Sequence, residues 1–139
     1  MDNLKKILIT GTAGFIGFHL AKFFLEKKWE VIGIDGLTDY YDIQLKLDRH
    51  KIINKFKNFK KFEFMLQDYN KLNDLFMSEK PKVVIHLAAQ PGVRYSLTNP
   101  WAYIESNIIG FQRVIDFVIS KKINQLFYAS SSSVYGKSS

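Results

Sequence analysis

With 139 residues and no cysteine, the chain has the size of one domain with a real core, folding can bury about 70% of its unfolded surface, and disulfides and thiolate metal sites are excluded. No apolar stretch is long enough to span a bilayer and no N-terminal signal pattern is present, so a soluble cytoplasmic chain is expected. The formal net charge of +7 raises nucleic acid as a partner, but the densest basic run, Lys51 to Lys61, reads as a solvated helix face and loop without a nucleic-acid motif, so none is expected.

In chain order, Leu4, Ile7, Leu8 and Ile9 form an apolar strand that stops at Gly11. Gly14 and Gly17 follow before an amphipathic helix begins, with Ile16, Leu20, Phe23 and Phe24 on one face and an end near Lys28. Strand, glycine turn and helix N-terminus suit a nucleotide pyrophosphate. Gly11 permits the turn, Gly14 lets backbone N–H groups approach phosphates without a Cβ in the way, and Gly17 allows close helix–strand packing. The spacing is G-x-x-G-x-x-G; aligned on Gly14 and Gly17, Thr12 stands where the commonest dinucleotide fingerprint has a glycine. A second strand, Trp29 to Asp35, ends in an acid about 20 residues on, where a ribose-binding carboxylate is required.

Asp42 reads as the N-cap of a helix reaching about Lys55, with Ile43, Leu45, Leu47, Ile52 and Ile53 as its apolar residues. Phe62 to Leu66 alternates as a third strand, and Leu72, Leu75 and Phe76 mark a short helix closed off by Pro81. Lys82 to Ala89 is a continuous apolar run of the buried parallel-strand type, whose end should face a ligand. Asn99 and Pro100 suit the start of a helix reaching about Lys121, with Ile104, Ile108, Phe111, Ile115 and Val118 or Ile119 inward. Gln125 to Ser130 is a fifth strand, followed by Ser131, Ser132 and Ser133. Strand and helix alternate throughout without repeat or linker. The expected fold is α/β: a doubly wound, Rossmann-type parallel sheet of order 3-2-1-4-5 in three α/β/α layers, over one domain, residues 1–139.

Several stretches together resemble the extended short-chain dehydrogenase/reductase family. They are Thr10 to Leu20, Gly33 to Asp35, Asp39 to Asp42, His86 to Gln90, Gly92 to Ser96 and Tyr128 to Gly136. Within that family they are most similar to NAD-dependent nucleotide-sugar epimerases of the UDP-glucuronate 4-epimerase type. The resemblance implies NAD as cofactor and a UDP-sugar as substrate. It assigns cofactor contacts to Gly11, Ala13, Gly14, Phe15, Ile16 and Gly17 of the glycine loop and to Asp35, which would accept from ribose hydroxyls and repel a 2′-phosphate. It assigns Asp68 to the adenine amino group, with helix capping as the competing account. Leu87, Ala88, Ala89 and Gln90 would border the cofactor, and Asn107 would lie near the active site, with a structural hydrogen bond as its alternative. Ser131 matches the catalytic Ser or Thr that bonds the reacting sugar hydroxyl. Ser132, Ser133, Arg94 and Ser96 would face the sugar. Tyr95 and Tyr103 read as packing, and His19, His50 and His86 have no ligand spacing, so no metal is assigned.

The sequence departs from the family where Gly36 replaces a common Asn, removing a ribose contact, and where Pro91 replaces a more usual Ala and stiffens its loop. The family's catalytic Tyr-x-x-x-Lys is also absent: the residue four after Tyr135 is Ser139. A cofactor half without its substrate domain, inactive alone, is therefore expected. Sister activities on the same scaffold are a 4,6-dehydratase, a decarboxylase or a reductase. Ser132 and Ser133 stand where a dehydratase has Asp and Glu, which weighs against the first. A non-catalytic dinucleotide sensor is the rival from another class. Dimers are common in the family through helices that include Pro100 to Lys121, although the outer face here carries no decisive apolar stripe.

Overall fold

A computed structural model describes residues 5–137, so Leu4 lies outside the described residues. Five strands, β1 (Lys6–Thr10), β2 (Glu30–Asp35), β3 (Phe59–Glu63), β4 (Val83–His86) and β5 (Gln125–Tyr128), form one sheet. Its order is β3-β2-β1-β4-β5, and every pairing is parallel. The helices are α1 (Phe15–Glu26), α2 (Ile43–Ile53), α3 (Tyr69–Glu79), α4 (Tyr95–Thr98), α5 (Pro100–Tyr103) and α6 (Phe111–Ser120). Side chains of the central strands alternate between two cores. Leu8, Ile32, Ile34 and Val84 meet Leu72, Phe76, Val114 and Phe117 on one face. Ile7, Ile9 and Val31 meet Phe18, Ala21, Leu25 and Ile53 on the other. That is the expected three-layer sandwich.

Four local expectations fail for identifiable reasons. The third strand runs Phe59–Glu63, not Phe62 to Leu66. Asn58 fixes its start: the side-chain amide donates to the carbonyls of Leu25 (3.1 Å) and Trp29 (2.6 Å), so pairing begins at Phe59 opposite Val31. Phe64 and Leu66 are buried beyond the strand's end, which produces the misleading alternation. As an edge strand β3 carries charge. Lys60 Nζ lies 3.1 Å from Glu30 and 2.8 Å from Glu79.

In α2 the buried residues are Lys46, His50 and Ile53, while Ile43, Leu45, Leu47 and Ile52 are exposed. Lys46 and His50 turn in to the Thr38 and Thr12 hydroxyls, while Ile53 joins the core beneath the sheet. Asp42 does cap α2, accepting from the Gln44 amide at 2.9 Å. The long helix from Pro100 is interrupted by a π-helical stretch, Ile104–Gly110. Its wider turn rotates the buried stripe onto Gly110, Val114 and Phe117, leaving Ile108 and Ile119 exposed. β4 and β5 end at His86 and Tyr128, and the residues after them are loop.

Candidate functional site

The turn after β1 is built as the glycine pattern predicts. Gly11 has φ +79°, and a Cβ there would sit 2.9 Å from the Ala88 nitrogen. A Cβ at Gly17 would lie 2.0 Å from the Gly11 carbonyl oxygen, so α1 can approach β1 this closely only with glycine. Gly14 caps α1 with no side-chain bond, and no acid occupies the first turn. The helix therefore presents unpaired N–H groups and the positive end of its dipole, with nothing of its own to neutralise them.

A cleft of about 460 Å³ opens beside this turn, along the carboxyl ends of β1, β2 and β4. Its lining includes Gly11, Gly14, Phe15, Ile16, Gly17, Asp35, Leu87, Ala88 and Ala89, all singled out in the sequence. Asp35 is held at both oxygens: Oδ2 accepts from the Ala13 amide and Oδ1 from the Leu37 amide, each at 2.9 Å. A Cβ on Gly36 would lie 2.1 Å from Met65 Sδ, so the flexible Met65 side chain would have to shift to admit the Asn common there.

Other sequence candidates are placed elsewhere. Ala13 is within the turn but fully buried, its amide held by Asp35. Asp68 caps α3, accepting from the Lys71 amide at 3.2 Å, which is the capping alternative. Asn107, presented by the π-helical stretch, brackets Gln90: its Oδ1 accepts from the Gln90 amide (2.7 Å) and its Nδ2 donates to the Gln90 carbonyl (3.0 Å). Both therefore shape the loop after β4 rather than line the cleft. Ser131 Oγ accepts from the Ser133 amide at 3.2 Å and starts an exposed 3-10 turn, Ser132–Tyr135. Arg94 and Ser96 are on the short α4 region beyond the loop. None of Arg94, Ser96 and Ser131 to Ser133 lines the cleft, although Ala129, next to the serine run, does. Tyr103 and Tyr95 pack as expected. Tyr103 donates to the Pro91 carbonyl at 2.9 Å, and Tyr95 stacks near Tyr40 at 4.9 Å, joining the loops after β2 and β4.

Several contributors carry no motif signal. Lys46 is 5% exposed and donates to the Thr38 hydroxyl at 3.1 Å; burial lowers its pKa, against the pull of Asp35 and Asp39. Arg49 Nη1 donates to the Ala13 carbonyl and the Tyr41 hydroxyl, both at 3.0 Å. The i, i+3 spacing of Lys46 and Arg49 on α2 was the available clue.

Thr10 ties β1 to the loop after β4. Its Oγ1 accepts from the Leu87 (3.1 Å) and Ala88 (3.0 Å) amides and lies 2.9 Å from His86 Nδ1. With its lone pairs taken, Thr10 donates its proton to Nδ1, which fixes His86 neutral. Burial pushes the His86 pKa down from 6.5 to about 4. Between those values the unfolded chain binds a proton that the folded chain refuses, so stability falls as pH drops from 6.5 towards 4. The shift corresponds to roughly 3 kcal/mol. Urea titrations of the native chain and His86→Asn, which keeps an acceptor near Nδ1, are expected to diverge by about that amount between pH 7 and 4. Parallel curves would refute this role for His86.

Among the described residues, no helix is long and apolar enough to cross a membrane, and no group of three or more His, Asp or Glu side chains could hold a metal ion.

Comparisons with known proteins agree with this geometry. Protein CapI of Staphylococcus aureus is 53% identical over 131 residues, spanning 94% of this chain and 39% of that protein. A probable UDP-glucuronate 4-epimerase of Rhizobium meliloti is 46% identical, over 94% of this chain and 38% of its own length. The crystal structure of the UDP-glucuronic acid 4-epimerase from Bacillus cereus, in complex with UDP-glucuronic acid and NAD, superposes with a TM-score of 0.84 at 33% identity, over 96% of this chain and 42% of that one. The chain thus spans about two-fifths of the length of these relatives. A family model described as GDP-mannose 4,6 dehydratase matches residues 8–139, so the chain belongs to that family.

Proposed function

We propose that this chain is the NAD-binding part of a nucleotide-sugar 4-epimerase acting on a UDP-sugar of the UDP-glucuronate type. The observation that carries the reading is the uncapped α1 N-terminus beside a carboxylate, Asp35, fixed 2.9 Å from the Ala13 amide at the edge of a cleft of about 460 Å³. Relatives with UDP-glucuronate 4-epimerase names and a solved structure holding NAD and UDP-glucuronic acid support it. The Rossmann unit would be residues 1–139, with the substrate domain supplied by further chain, and a cysteine-free sequence suits the cytoplasm.

In this assignment the Gly11–Gly17 turn and α1 N-terminus receive the pyrophosphate. Asp35 accepts from ribose hydroxyls, and Leu87 to Ala89 form the opposite wall. Bound there, NAD would supply a hydride acceptor and donor for reversible oxidation at C4 of the sugar. Ser131 would hydrogen-bond the reacting hydroxyl, with Arg94, Ser96, Ser132 and Ser133 nearest the sugar. The proton at the sugar hydroxyl requires a Tyr-x-x-x-Lys pair, which no tyrosine of this sequence supplies.

Calorimetry on the 139-residue chain is expected to give NAD a Kd in the micromolar range, with NADP at least tenfold weaker. Absence of NAD binding would overturn the cofactor assignment. The chain with NAD and UDP-glucuronate is expected to form no 4-epimer, and measurable turnover would show that its own residues complete the chemistry. Product analysis of a longer form with UDP-, GDP- and dTDP-sugars separates epimerase from dehydratase, decarboxylase and reductase.

A further inference from the structure

Two adjacent residues of α2 hold two adjacent residues of the glycine turn. Arg49 donates to the Ala13 carbonyl at 3.0 Å, and His50 Nε2 lies 3.1 Å from Thr12 Oγ1. Thr12 is fully buried, and His50 is 1% exposed and does not line the cleft. The other ring nitrogen, Nδ1, is buried without a hydrogen-bond partner among the described residues. Phe59 stands edge-on to the imidazole at 6.3 Å. Burial lowers its pKa, with Asp35, Lys61 and Glu63 the charged groups that act on it.

A buried nitrogen with nothing to bond is unfavourable for folding. Stability alone would place an apolar side chain here, as Ile53 one turn on illustrates. What the imidazole adds is its bond to Thr12, and Thr12 occupies the position where the commonest fingerprint has a glycine. A glycine there offers no hydroxyl to hold. We propose that His50 is a positioning residue which, through Thr12, fixes the Gly11–Gly17 turn in the shape that receives a dinucleotide pyrophosphate. The proposal rests on the NAD reading above and adds to it.

The turn is then pinned at three points. Asp35 holds the Ala13 N–H, Arg49 the Ala13 carbonyl, and His50 the preceding side chain. Asp35 and Arg49 line the cleft and can touch a ligand directly, whereas His50 can act only through the turn. Pre-ordering a binding loop raises affinity by removing an ordering penalty from the binding step.

The test is the double variant Thr12→Val with His50→Leu, which deletes both partners and leaves neither unsatisfied. Its melting temperature is expected at or above that of the native chain. Its Kd for NAD is expected to be about tenfold weaker, and in the ligand-free chain the hydrogen-bonded Thr12, Ala13 and Gly14 amides should exchange with solvent several-fold faster while those of β1 and β4 stay unchanged. His50→Gln, whose amide can meet the Thr12 hydroxyl, should recover affinity to within about threefold of native. If the double variant does not fold, His50→Gln against His50→Met reads the same contrast. Unchanged exchange across the turn overturns the proposal whether or not NAD binds. Faster exchange in a chain whose native form binds no NAD upholds the grip on the turn and overturns the cofactor reading instead.

Discussion

Gly17→Ala is expected to lower the melting temperature by about 10 °C and to abolish measurable NAD binding. The added Cβ would lie 2.0 Å from the Gly11 carbonyl oxygen and 2.7 Å from its carbon. Both are backbone atoms, so no rotamer change relieves the overlap. Either α1 moves away from β1 or the Gly11 turn opens. Overpacking of this kind costs about 3 kcal/mol, which at this chain length corresponds to about 10 °C. The first-turn amides of α1 move with the helix, so the anion site is lost along with the packing. Gly136→Ala is the control, because a Cβ there meets nothing within 4 Å; its φ of 68° and ψ of −155° strain an alanine by about 1–3 kcal/mol, but NAD binding is expected to be retained. Calorimetric melting and NAD titration of both variants check the pair. A Gly17→Ala chain that melts like the native one and binds NAD would refute the account of the turn.

The order of strands and the place of the cleft were legible because they depend on local, periodic signals. Apolar runs that stop at Gly11 and Asp35 give the ends of β1 and β2, and parallel strands joined by helices leave few topologies. What escaped depends on contacts distant in sequence. Asn58 sets the start of β3 by bonding carbonyls near Leu25 and Trp29, which no window around Phe62 reveals. The buried face of α2 does not follow its apolar residues, because Lys46 and His50 turn in towards Thr38 and Thr12. The π-helical stretch that aims Asn107 at Gln90 has no residue pattern of its own. Nucleotide-facing candidates in the glycine turn converge on one cleft because backbone geometry places them there. Arg94, Ser96 and the serines from Ser131 onward are carried by exposed segments, and their assignment still rests on resemblance.

The cations missed in the sequence make the second large effect predictable. Asp35→Ser is expected to weaken NAD about 30-fold and to shift the NAD-to-NADP affinity ratio by about 100-fold or more. Asp35 accepts two backbone N–H groups and offers its remaining lone pairs to ribose hydroxyls; hydrogen bonds to a charged acceptor contribute about 1.5–3 kcal/mol. Its charge also repels a 2′-phosphate. On the same wall stand Arg49 and Lys46, and Asp35 is among the acids that favour the charged form of Lys46. Removing the carboxylate deletes the repulsion and leaves both cations facing the position of the extra phosphate, where Arg49 can bond it through the guanidinium nitrogens not engaged by Ala13 and Tyr41. Raising NaCl to 0.5 M should erode the NADP gain, because the new attraction is chiefly between the phosphate and the half-buried Arg49, where salt can screen it. Adding Arg49→Met to Asp35→Ser should remove most of the gain while leaving the NAD loss in place. Titration of the three proteins with both dinucleotides decides the matter: if Asp35→Ser binds NAD as the native chain does, the ribose contact is elsewhere, and if NADP does not gain, Arg49 and Lys46 serve only to brace the loops they touch.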